Sequence, residues 1–361
     1  LPTNRCCAAG SSMAGRVSVI AGCSPAMRAL PPPHCTKCAQ AGADLPVRII
    51  FLNRFYWPDE PATAQLLVDL AGGLASQGHA ITVITSRPPL AGVPSVETRA
   101  GVRIIRVCCT HWGRHHLAGR AVDFATFLVG ACWHLARIAR SADVVIPMTD
   151  PPMLGSLVWP ITRWKGARCL HWLQDVFPEI ATTLSSKPLV RQLGRLLIPW
   201  RNFTWRRSAG CVVLGEDMAA FVKNCRVPAD KVTVIANWAP AGLEEQSASA
   251  GDALRTAWDL KGKFVVAYSG NLGRVHDLDP VLTVASVLPP ESGIVFVFVG
   301  GGAQRGALEQ KAAARGLSNV RFYAAQPHRK RAETLALGEA HLVTLHPGCP
   351  ALVFPSKFYG I

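Results

Sequence analysis

The pattern of apolar positions changes abruptly at Val47. Residues 47–52 form an apolar run interrupted only by Arg48, which is typical of a strand buried on both faces of a parallel sheet. Leucines at helical spacing follow in residues 66–74, and Gly78 ends that helix. The chain from Val47 onward therefore begins as an α/β fold.

The same alternation continues to the end of the chain. Apolar runs at 81–85, 102–107, 143–147, 167–172, 211–214 and 231–235 predict strands, separated by segments of helical periodicity such as 119–140 and 188–207. A small-residue, polar stretch at 239–251 predicts a linker. A second series of strands and helices begins at 264. We expect two doubly wound, Rossmann-like domains, residues 47–238 and 252–361.

Residues 1–46 differ from the rest. They lack periodicity, contain three consecutive prolines and carry five of the twelve cysteines, so a disordered leader without a secretory signal is predicted. Cys35 and Cys38 have the spacing of half a zinc site, but no second pair follows. The remaining cysteines are scattered through apolar segments, which favours reduced thiols in a cytosolic protein.

Charge indicates an acidic partner. The 38 Lys and Arg residues exceed the 23 Asp and Glu residues and give a formal net charge of +15, which suits phosphate ligands, nucleic acid or an anionic bilayer. Residues 110–210 hold thirteen basic and five acidic side chains together with seven of the ten tryptophans. No run reaches the roughly 18 uncharged apolar residues of a spanning helix, so an integral membrane protein is not expected.

The predicted helix at 188–207 is amphipathic. Leucines and aromatic residues lie on one side and arginines largely on the other, a pattern shared by membrane-surface helices and by helices that face a protein core. The local basic excess and the tryptophans favour a peripheral contact with an anionic membrane. The residues assigned to this contact are Arg191, Arg195, Trp200, Arg201 and Trp205.

Three segments of the second domain could hold phosphate groups. Residues 268–274 (YSGNLGR) follow a strand and precede a helix, where glycine N–H groups and an arginine can bind an anion. Residues 300–302 form a second glycine turn, although Gly306 is one position too late for the dinucleotide fingerprint. Ser356 and Lys357 form the third candidate. Each segment could equally be a structural turn.

Polar residues of the first domain follow a predicted strand at 171–179 (HWLQDVFPE). Open α/β sheets bind ligands at such strand ends, and a loop that satisfies its own backbone is the alternative. Asp277 and Asp279 have the spacing of a metal-binding D-x-D motif, but they begin a helix, where acids interact with the helix dipole. No metal site and no cofactor are expected.

Five ordered segments together resemble the family 4 glycosyltransferases, in particular colanic-acid and O-antigen fucosyl or N-acetylfucosaminyl transferases. They are residues 47–88, HWLQDVFPE, YSGNLGRVHDLD, VFVGGGAQRGALE and FPSKFYGI. The resemblance covers residues 47–361. It implies a GT-B fold, in which two Rossmann-like domains face a cleft, the first taking the acceptor and the second the nucleotide-sugar.

The resemblance also implies roles for individual residues and a retaining reaction that requires no metal. The implied catalytic residues are Arg274, Lys357 and Asp175. The implied donor-binding residues are Gly270, Asn271, Gly273, Gly301, Gly302, Ser356 and Tyr359, with Phe322 and Tyr323 bordering the base. The implied acceptor-side residues are Asp59, Thr63, Gln65 and Gln174.

The chain departs from the family pattern in two places. Val275-His276-Asp277 follows Arg274 where many members have a lysine, and Gly360 occupies the region of the second acid of a Glu-x7-Glu element. Lys357 is expected to replace the lost cation. Relatives also continue beyond the position of Ile361, so an incomplete C-terminal domain is expected.

These observations predict a cytoplasmic, membrane-peripheral glycosyltransferase that uses a UDP- or GDP-sugar and a lipid-linked saccharide acceptor. A non-catalytic or truncated homologue that binds nucleotide or membrane is the alternative. A nucleic-acid partner rests on charge alone, because no recognition motif is present, and it is not expected.

Overall fold

The computed structural model describes residues 17–21, 46–59, 61–113, 117–239, 248–327 and 330–360. They form two sheets of eight and five strands that face each other across a cleft. The predicted linker lies mostly outside the described residues. The two-domain α/β architecture is confirmed.

The N-terminal sheet contains strands β2 to β9 in the order β4-β5-β3-β2-β6-β7-β8-β9. All neighbouring strands are parallel except β4 and β5, which are antiparallel. In chain order these strands are β2 Arg48–Leu52, β3 Ala80–Ser86, β4 Val96–Arg99, β5 Val102–Val107, β6 Val144–Pro147, β7 Arg168–Trp172, β8 Gly210–Val213 and β9 Val232–Val234. The strand order reverses between β2 and β6, which is where such sheets open a crevice for ligands.

Six helices pack against this sheet. They are α1 Ala62–Ser76, α2 Leu117–Ile138, α3 Leu154–Lys165, α4 Glu179–Leu184, α5 Pro188–Arg207 and α6 Glu216–Asn224. Phe51 and Leu67 are fully buried on one face of the sheet, and Phe127 and Leu135 on the other. Burial on both faces explains why the strands are apolar runs rather than alternating sequences.

The C-terminal sheet has the order β1-β13-β10-β11-β12. Its strands are β1 Val17–Ala21, β10 Phe264–Ser269, β11 Ile294–Val299, β12 Val320–Tyr323 and β13 Ala340–Thr344, and its helices are α7 Asp252–Ala257, α8 Asp279–Val287, α9 Arg305–Ala314 and α10 Arg331–Leu335. The strands β10 to β13 are parallel, and a 3₁₀ turn at Ser356–Gly360 follows them.

Three short elements differ from the sequence prediction. Strand β1 lies within the segment predicted to be disordered and pairs antiparallel with β13. Strand β4 is a short, largely exposed edge strand, and α7 is a helix of six residues. Strand β4 and helix α7 are too short to show a clear period, whereas β1, with the sequence VSVIA, is a short apolar run that the prediction of a disordered leader overlooked.

Helix α2 is more apolar than expected. Among the described residues it is the one helix whose length and composition would suffice to cross a membrane, over Ala118–Ile138. In this structure Phe127, Ala131 and Leu135 of the same helix are fully buried against the sheet. Helix α2 contains Arg120, Asp123 and Arg137, so it is not an uncharged apolar run of about 18 residues, and the expectation that this is not an integral membrane protein stays a prediction.

Two residues assigned to the membrane contact are buried in α5. Arg201 is 2% exposed and forms an ion pair with Glu179, and its guanidinium lies 3.9 Å from the centroid of the Trp205 ring. Trp205 itself is 3% exposed and belongs to the core beneath α5. The assignment of these two side chains to a membrane was therefore wrong, since helical periodicity alone does not tell which face is inward.

Candidate functional site

A cleft of about 810 Å³ separates the two domains. The N-terminal domain contributes the start of α1 and the loops that follow β6 and β7, and the C-terminal domain contributes the loops after β10, β11 and β12. Residues 353–357 cross from one side to the other. The carboxyl ends of parallel strands thus surround the cleft from both sides, as expected for an α/β ligand site.

The two glycine turns of the C-terminal domain pack against each other. Gly300 and Gly302 have positive φ angles of 149° and 146°. A Cβ on Gly300 would lie 2.0 Å from the Gly270 carbonyl oxygen, and one on Gly302 would lie 2.5 Å from that of Leu272. These glycines are therefore required for contact between the turns, whereas Gly301 faces open space in the cleft.

Lys357 reaches the first glycine turn from the 3₁₀ segment. Its Nζ atom is buried without a hydrogen-bond partner among the described residues and lies 3.4 Å from the centroid of the Tyr268 ring. A Cβ on Gly270 would lie 4.0 Å from this Nζ. Burial lowers the pKa of Lys357 to about 7, because the charged form loses solvation.

His276 lies beside this lysine and was not assigned a role from the sequence. It is buried and lines the cleft, its Nδ1 lies 2.7 Å from the Thr344 carbonyl oxygen, and its ring packs edge-on against Tyr268. Burial, and then the charge of Lys357, lower its pKa to about 4. The ring is therefore neutral near pH 7 and does not repel the charged form of Lys357.

Two carboxyl groups line the cleft on the N-terminal side. Asp150 follows β6, and Asp175 follows β7. Burial raises the pKa of Asp150 to about 6, and burial together with the charge of Asp150 raises the pKa of Asp175 to about 7. One of the two groups can therefore hold a proton near neutral pH. Sequence reasoning found Asp175 and missed Asp150, although both follow strands.

The crossing segment ties the domains together. The Val176 amide donates to the Leu352 carbonyl oxygen at 2.8 Å, and Asp175 forms a β-bridge with Val353. Leu352 and Val353 are buried in a hydrophobic cluster of the N-terminal domain. Across the cleft, Arg331 donates to the Gln65 side-chain oxygen at 3.1 Å.

The structure brings together nine of the residues predicted from the sequence. They are Thr63, Gln65, Gln174, Asp175, Gly270, Asn271, Gly301, Ser356 and Lys357. Gln174 is also engaged in two hydrogen bonds with Asn237, of 3.1 and 2.8 Å. That reciprocal pair fixes the amide, so its free hydrogen-bonding capacity toward a ligand is reduced.

The other predicted residues do not line the cleft. Arg274 is exposed, and Asp59 lines a separate pocket of the N-terminal domain. Phe322 stacks on Phe298, and Tyr323 stacks on Trp258 at 3.7 Å between ring centroids. The remaining three are Gly273, Gly302 and Tyr359.

Comparison with known proteins agrees with this arrangement. Residues 63–238 match the family model of the glycosyl transferase 4-like domain. The chain is 25% identical over 329 residues to the colanic acid biosynthesis glycosyl transferase WcaI of Escherichia coli K12, covering 87% of this chain and 81% of WcaI. It is 26% identical over 322 residues to the glycosyltransferase WbjE of Pseudomonas aeruginosa, covering 86% and 77%.

Among solved structures, Anabaena HepE in complex with UDP-glucose superposes with a TM-score of 0.57 at 14% identity, covering 81% of this chain and 72% of HepE. At this identity the match concerns the fold, which is that of the GT-B glycosyltransferases. The chain is therefore a glycosyltransferase whose N-terminal domain is of the family 4-like type.

Proposed function

We propose that this protein is a retaining glycosyltransferase that moves a sugar from a UDP- or GDP-sugar to a lipid-linked saccharide during assembly of a bacterial surface polysaccharide. The relative WcaI is named for colanic acid biosynthesis, and the structural neighbour HepE holds UDP-glucose. The observation that carries the proposal is the Lys357 Nζ atom, which is buried beside the Gly270 turn without a hydrogen-bond partner in the part of the chain that the structure describes.

The glycine turns and Lys357 form the diphosphate subsite. Gly301 leaves room for close approach of an anion to the backbone, and an oxyanion bound there supplies the hydrogen-bond acceptor that Lys357 lacks. An ammonium group in a poorly solvated site interacts strongly with negative charge that develops on a departing nucleotide diphosphate. Lys357 would therefore stabilise the transition state more than the ground state.

The carboxyl groups form the acceptor side of the same cleft. Asp150, Asp175, Thr63 and Gln65 line the cleft from the N-terminal domain, whereas the glycine turns line it from the C-terminal domain. A carboxylate in this place can orient the attacking hydroxyl of the acceptor and take its proton as the bond to the donor sugar forms. In the retaining reaction the acceptor attacks on the face from which the nucleotide leaves.

The outer face of α5 supports a peripheral location at the cytoplasmic face of an anionic membrane. Leu189, Leu193 and Leu196 are 65%, 53% and 69% exposed, and Trp200 is 39% exposed. The arginines at 191 and 195 are exposed on the same helix, which carries no acidic residue. Exposed apolar side chains flanked by cations suit an interface of lipid headgroups and acyl chains.

The test measures the affinity of UDP, GDP and UDP-glucose by calorimetry and transfer by release of nucleotide from UDP- and GDP-sugars. One nucleotide is expected to bind, and Lys357→Met should weaken it at least tenfold, since a charge-assisted hydrogen bond contributes about 1.5–3 kcal/mol. Lys261→Met, at an exposed position of the same domain, is the matched control. Equal affinity in both variants would remove Lys357 from the donor site.

Two further measurements complete this test. Arg274→Ala examines the predicted second cation; unchanged affinity would show that its exposed side chain takes no part in donor binding. Nucleotide binding without any transfer to lipid-linked acceptors would instead favour a binding-only homologue.

A further inference from the structure

A second pocket, of about 420 Å³, lies in the N-terminal domain outside the cleft residues. It is formed by the carboxyl ends of β2 and β3, the loop after β5 and the first turns of α2. Three side chains that can be cationic line it: Arg54, His111 and Arg120. The rings of Phe55 and Phe124 and the prolines at 88 and 89 complete the wall.

Arg54 is held rigidly in this pocket. Its carbonyl oxygen accepts hydrogen bonds from the hydroxyl groups of Thr85 and Ser86, at 2.9 and 2.6 Å. Its guanidinium carbon lies 5.2 and 5.0 Å from the centroids of the Phe55 and Phe124 rings. The two rings leave the edge of the guanidinium as its hydrogen-bonding surface, and the Nε atom is buried without a hydrogen-bond partner among the described residues.

The Asp123 carboxylate lies near Arg54 but does not accept a hydrogen bond from its guanidinium. Asp123 accepts hydrogen bonds from the Thr110 hydroxyl and from the amides of Trp112 and Gly113, at 2.7, 2.9 and 2.9 Å. The nearest Arg54 nitrogen lies 3.7 Å from its Oδ2, beyond hydrogen-bond distance. Asp123 thus attaches residues 110–113 to α2 and partly balances the charge of Arg54. It takes up none of the N–H donors of the Arg54 guanidinium.

The other polar groups around the pocket leave room for an anion. Arg120 uses its Nε to donate to the Gly113 carbonyl oxygen at 3.1 Å and is otherwise exposed. The His111 Nε2 lies 2.9 Å from the Arg87 carbonyl oxygen. Asp59 is the second carboxyl group of the lining, and burial raises its pKa.

This pocket adjoins the carboxyl groups of the cleft. The Arg54 amide donates to the Asp150 carbonyl oxygen at 2.8 Å, so the loop that carries the guanidinium is bonded to the loop that carries one of the cleft acids. The second pocket therefore lies on the acceptor side of the molecule, in the domain that carries Asp150 and Asp175.

We propose that this second pocket binds an oxyanion of the acceptor, a carboxylate of an acidic sugar or a phosphate, through Arg54 and Arg120. The inference rests on the proposed function for the identity of the ligand as an acceptor, whereas the pocket itself does not depend on it. Paired guanidinium donors recognise planar carboxylate and phosphate oxygens, and the aromatic wall suits a sugar ring.

The experiment uses three small probes that share a methyl reporter: methyl glucuronide, methyl phosphate and the neutral methyl glucoside. Binding to the whole protein is followed by saturation-transfer NMR and titration. An anionic probe is expected to bind more tightly than the glucoside, and Arg54→Gln and Arg120→Gln should each weaken it about tenfold or more. Arg137→Gln, which removes the same charge from an exposed position of the same helix, should have no effect.

The variants separate the possible outcomes. If binding of methyl glucuronide depends on Arg120, the ligand is an acidic sugar; if binding of methyl phosphate depends on Arg120, the ligand is a phosphate. Either result supports the proposal. The proposal would be overturned if neither anionic probe bound more tightly than the glucoside, or if the affinities were unchanged in Arg120→Gln. Arg120 is exposed, so this variant remains informative if Arg54→Gln does not fold.

Two controls keep this result apart from the donor site. Lys357→Met should not change the Arg120-dependent signal, and loss of probe binding in that variant alone would place the anion at the glycine turns and reject the second pocket. UDP binding is measured in parallel. If UDP binds but no probe binding depends on Arg120, the inference about the second pocket is overturned and the proposed function stands. If probe binding depends on Arg120 but UDP does not bind, the donor assignment is overturned and the second pocket is supported.

Discussion

The Nζ atom of Lys357 lies over the ring of Tyr268, 3.4 Å from its centroid. The ring face gives the ammonium an electrostatic partner without giving it a hydrogen-bond acceptor. Tyr268 cannot turn away, because it is fully buried and its hydroxyl donates to the Asn271 carbonyl oxygen at 2.9 Å. The lysine is therefore aimed at the first glycine turn before any ligand binds.

Affinity for a nucleotide-sugar should fall as pH rises above about 7. Burial lowers the pKa of Lys357 to about 7 in the free protein, whereas an adjacent diphosphate favours the charged form, so binding takes up a proton above that pH. The dissociation constant for UDP-glucose, measured by calorimetry from pH 6 to 9, should rise by up to about tenfold per pH unit. Lys357→Met should remove this slope; a slope that persists in the variant assigns the proton elsewhere.

The same lysine should affect stability with the opposite trend. Its pKa of about 7 in the folded chain lies below the ordinary lysine value of 10.5, so between these two values the unfolded chain binds more protons. The free energy of unfolding should therefore rise with pH across this window. Urea unfolding of the parent and of Lys357→Met at pH 7 and pH 9 measures the difference, and parallel pH dependence in both proteins would contradict the assigned pKa.

Replacement of Asp175 should separate chemistry from donor binding. Asp175→Asn keeps the shape of the side chain but abolishes its ability to accept a proton, so transfer should fall about 10²- to 10⁴-fold with little change in UDP-glucose affinity. Initial rates and calorimetry on the same preparation test this. Asp217→Asn, at an exposed position of α6, is the control, and a transfer rate equal to that control would exclude Asp175 from catalysis.

Neighbouring glycines should respond differently to alanine. In Gly300→Ala the new Cβ would lie 2.0 Å from the Gly270 carbonyl oxygen at a φ of 149°, so about 3 kcal/mol or more of stability should be lost. In Gly301→Ala the methyl group enters open space in the cleft, so stability should hold while nucleotide affinity falls. Chemical denaturation and calorimetry distinguish the two, and equal stability of the variants would contradict the packing of the turns.

Arginines of α5 should divide into structural and surface residues. Arg201→Met leaves Glu179 without its buried partner, and removing one member of such a pair costs about 3–5 kcal/mol. Arg195→Gln should leave stability unchanged and weaken binding to vesicles with anionic lipid by about 1 kcal/mol. Sedimentation with anionic and neutral vesicles tests the second effect, and binding that ignores Arg195 and lipid charge would remove α5 from the membrane contact.

The sequence predicted the elements that carry a strong period or an apolar run. Helix α5 was predicted at residues 188–207, as observed, because a proline begins it and a strand follows closely. Lys357 and Asp175 were identified because the segments FPSKFYGI and HWLQDVFPE resemble those of the family 4 glycosyltransferases. Asp150 and His276 were missed, since a single acid in a proline-rich loop and a single histidine carry no pattern of their own.

Other differences arose from tertiary packing, which the sequence does not encode locally. Arg195 and Arg201 were both assigned to the membrane contact, yet Arg201 is buried in an ion pair with Glu179 and Arg195 is exposed. Tyr323 was expected near a nucleotide base, but its ring stacks on Trp258. Long-range contacts decide such cases, and one chain without aligned relatives contains no signal for them.

The crossing segment has a mechanical consequence. Leu352 and Val353 are embedded in the N-terminal domain, whereas Gly270 and Gly301 belong to the C-terminal sheet. Lys357 lies only four residues beyond the anchored Val353, so a rotation that separates the domains would pull on the segment that carries this lysine to the Gly270 turn. Affinity for the proposed nucleotide-sugar and the angle between the domains would therefore be coupled. A substitution far from the cleft that favours an open arrangement of the domains would weaken donor binding without contacting the donor.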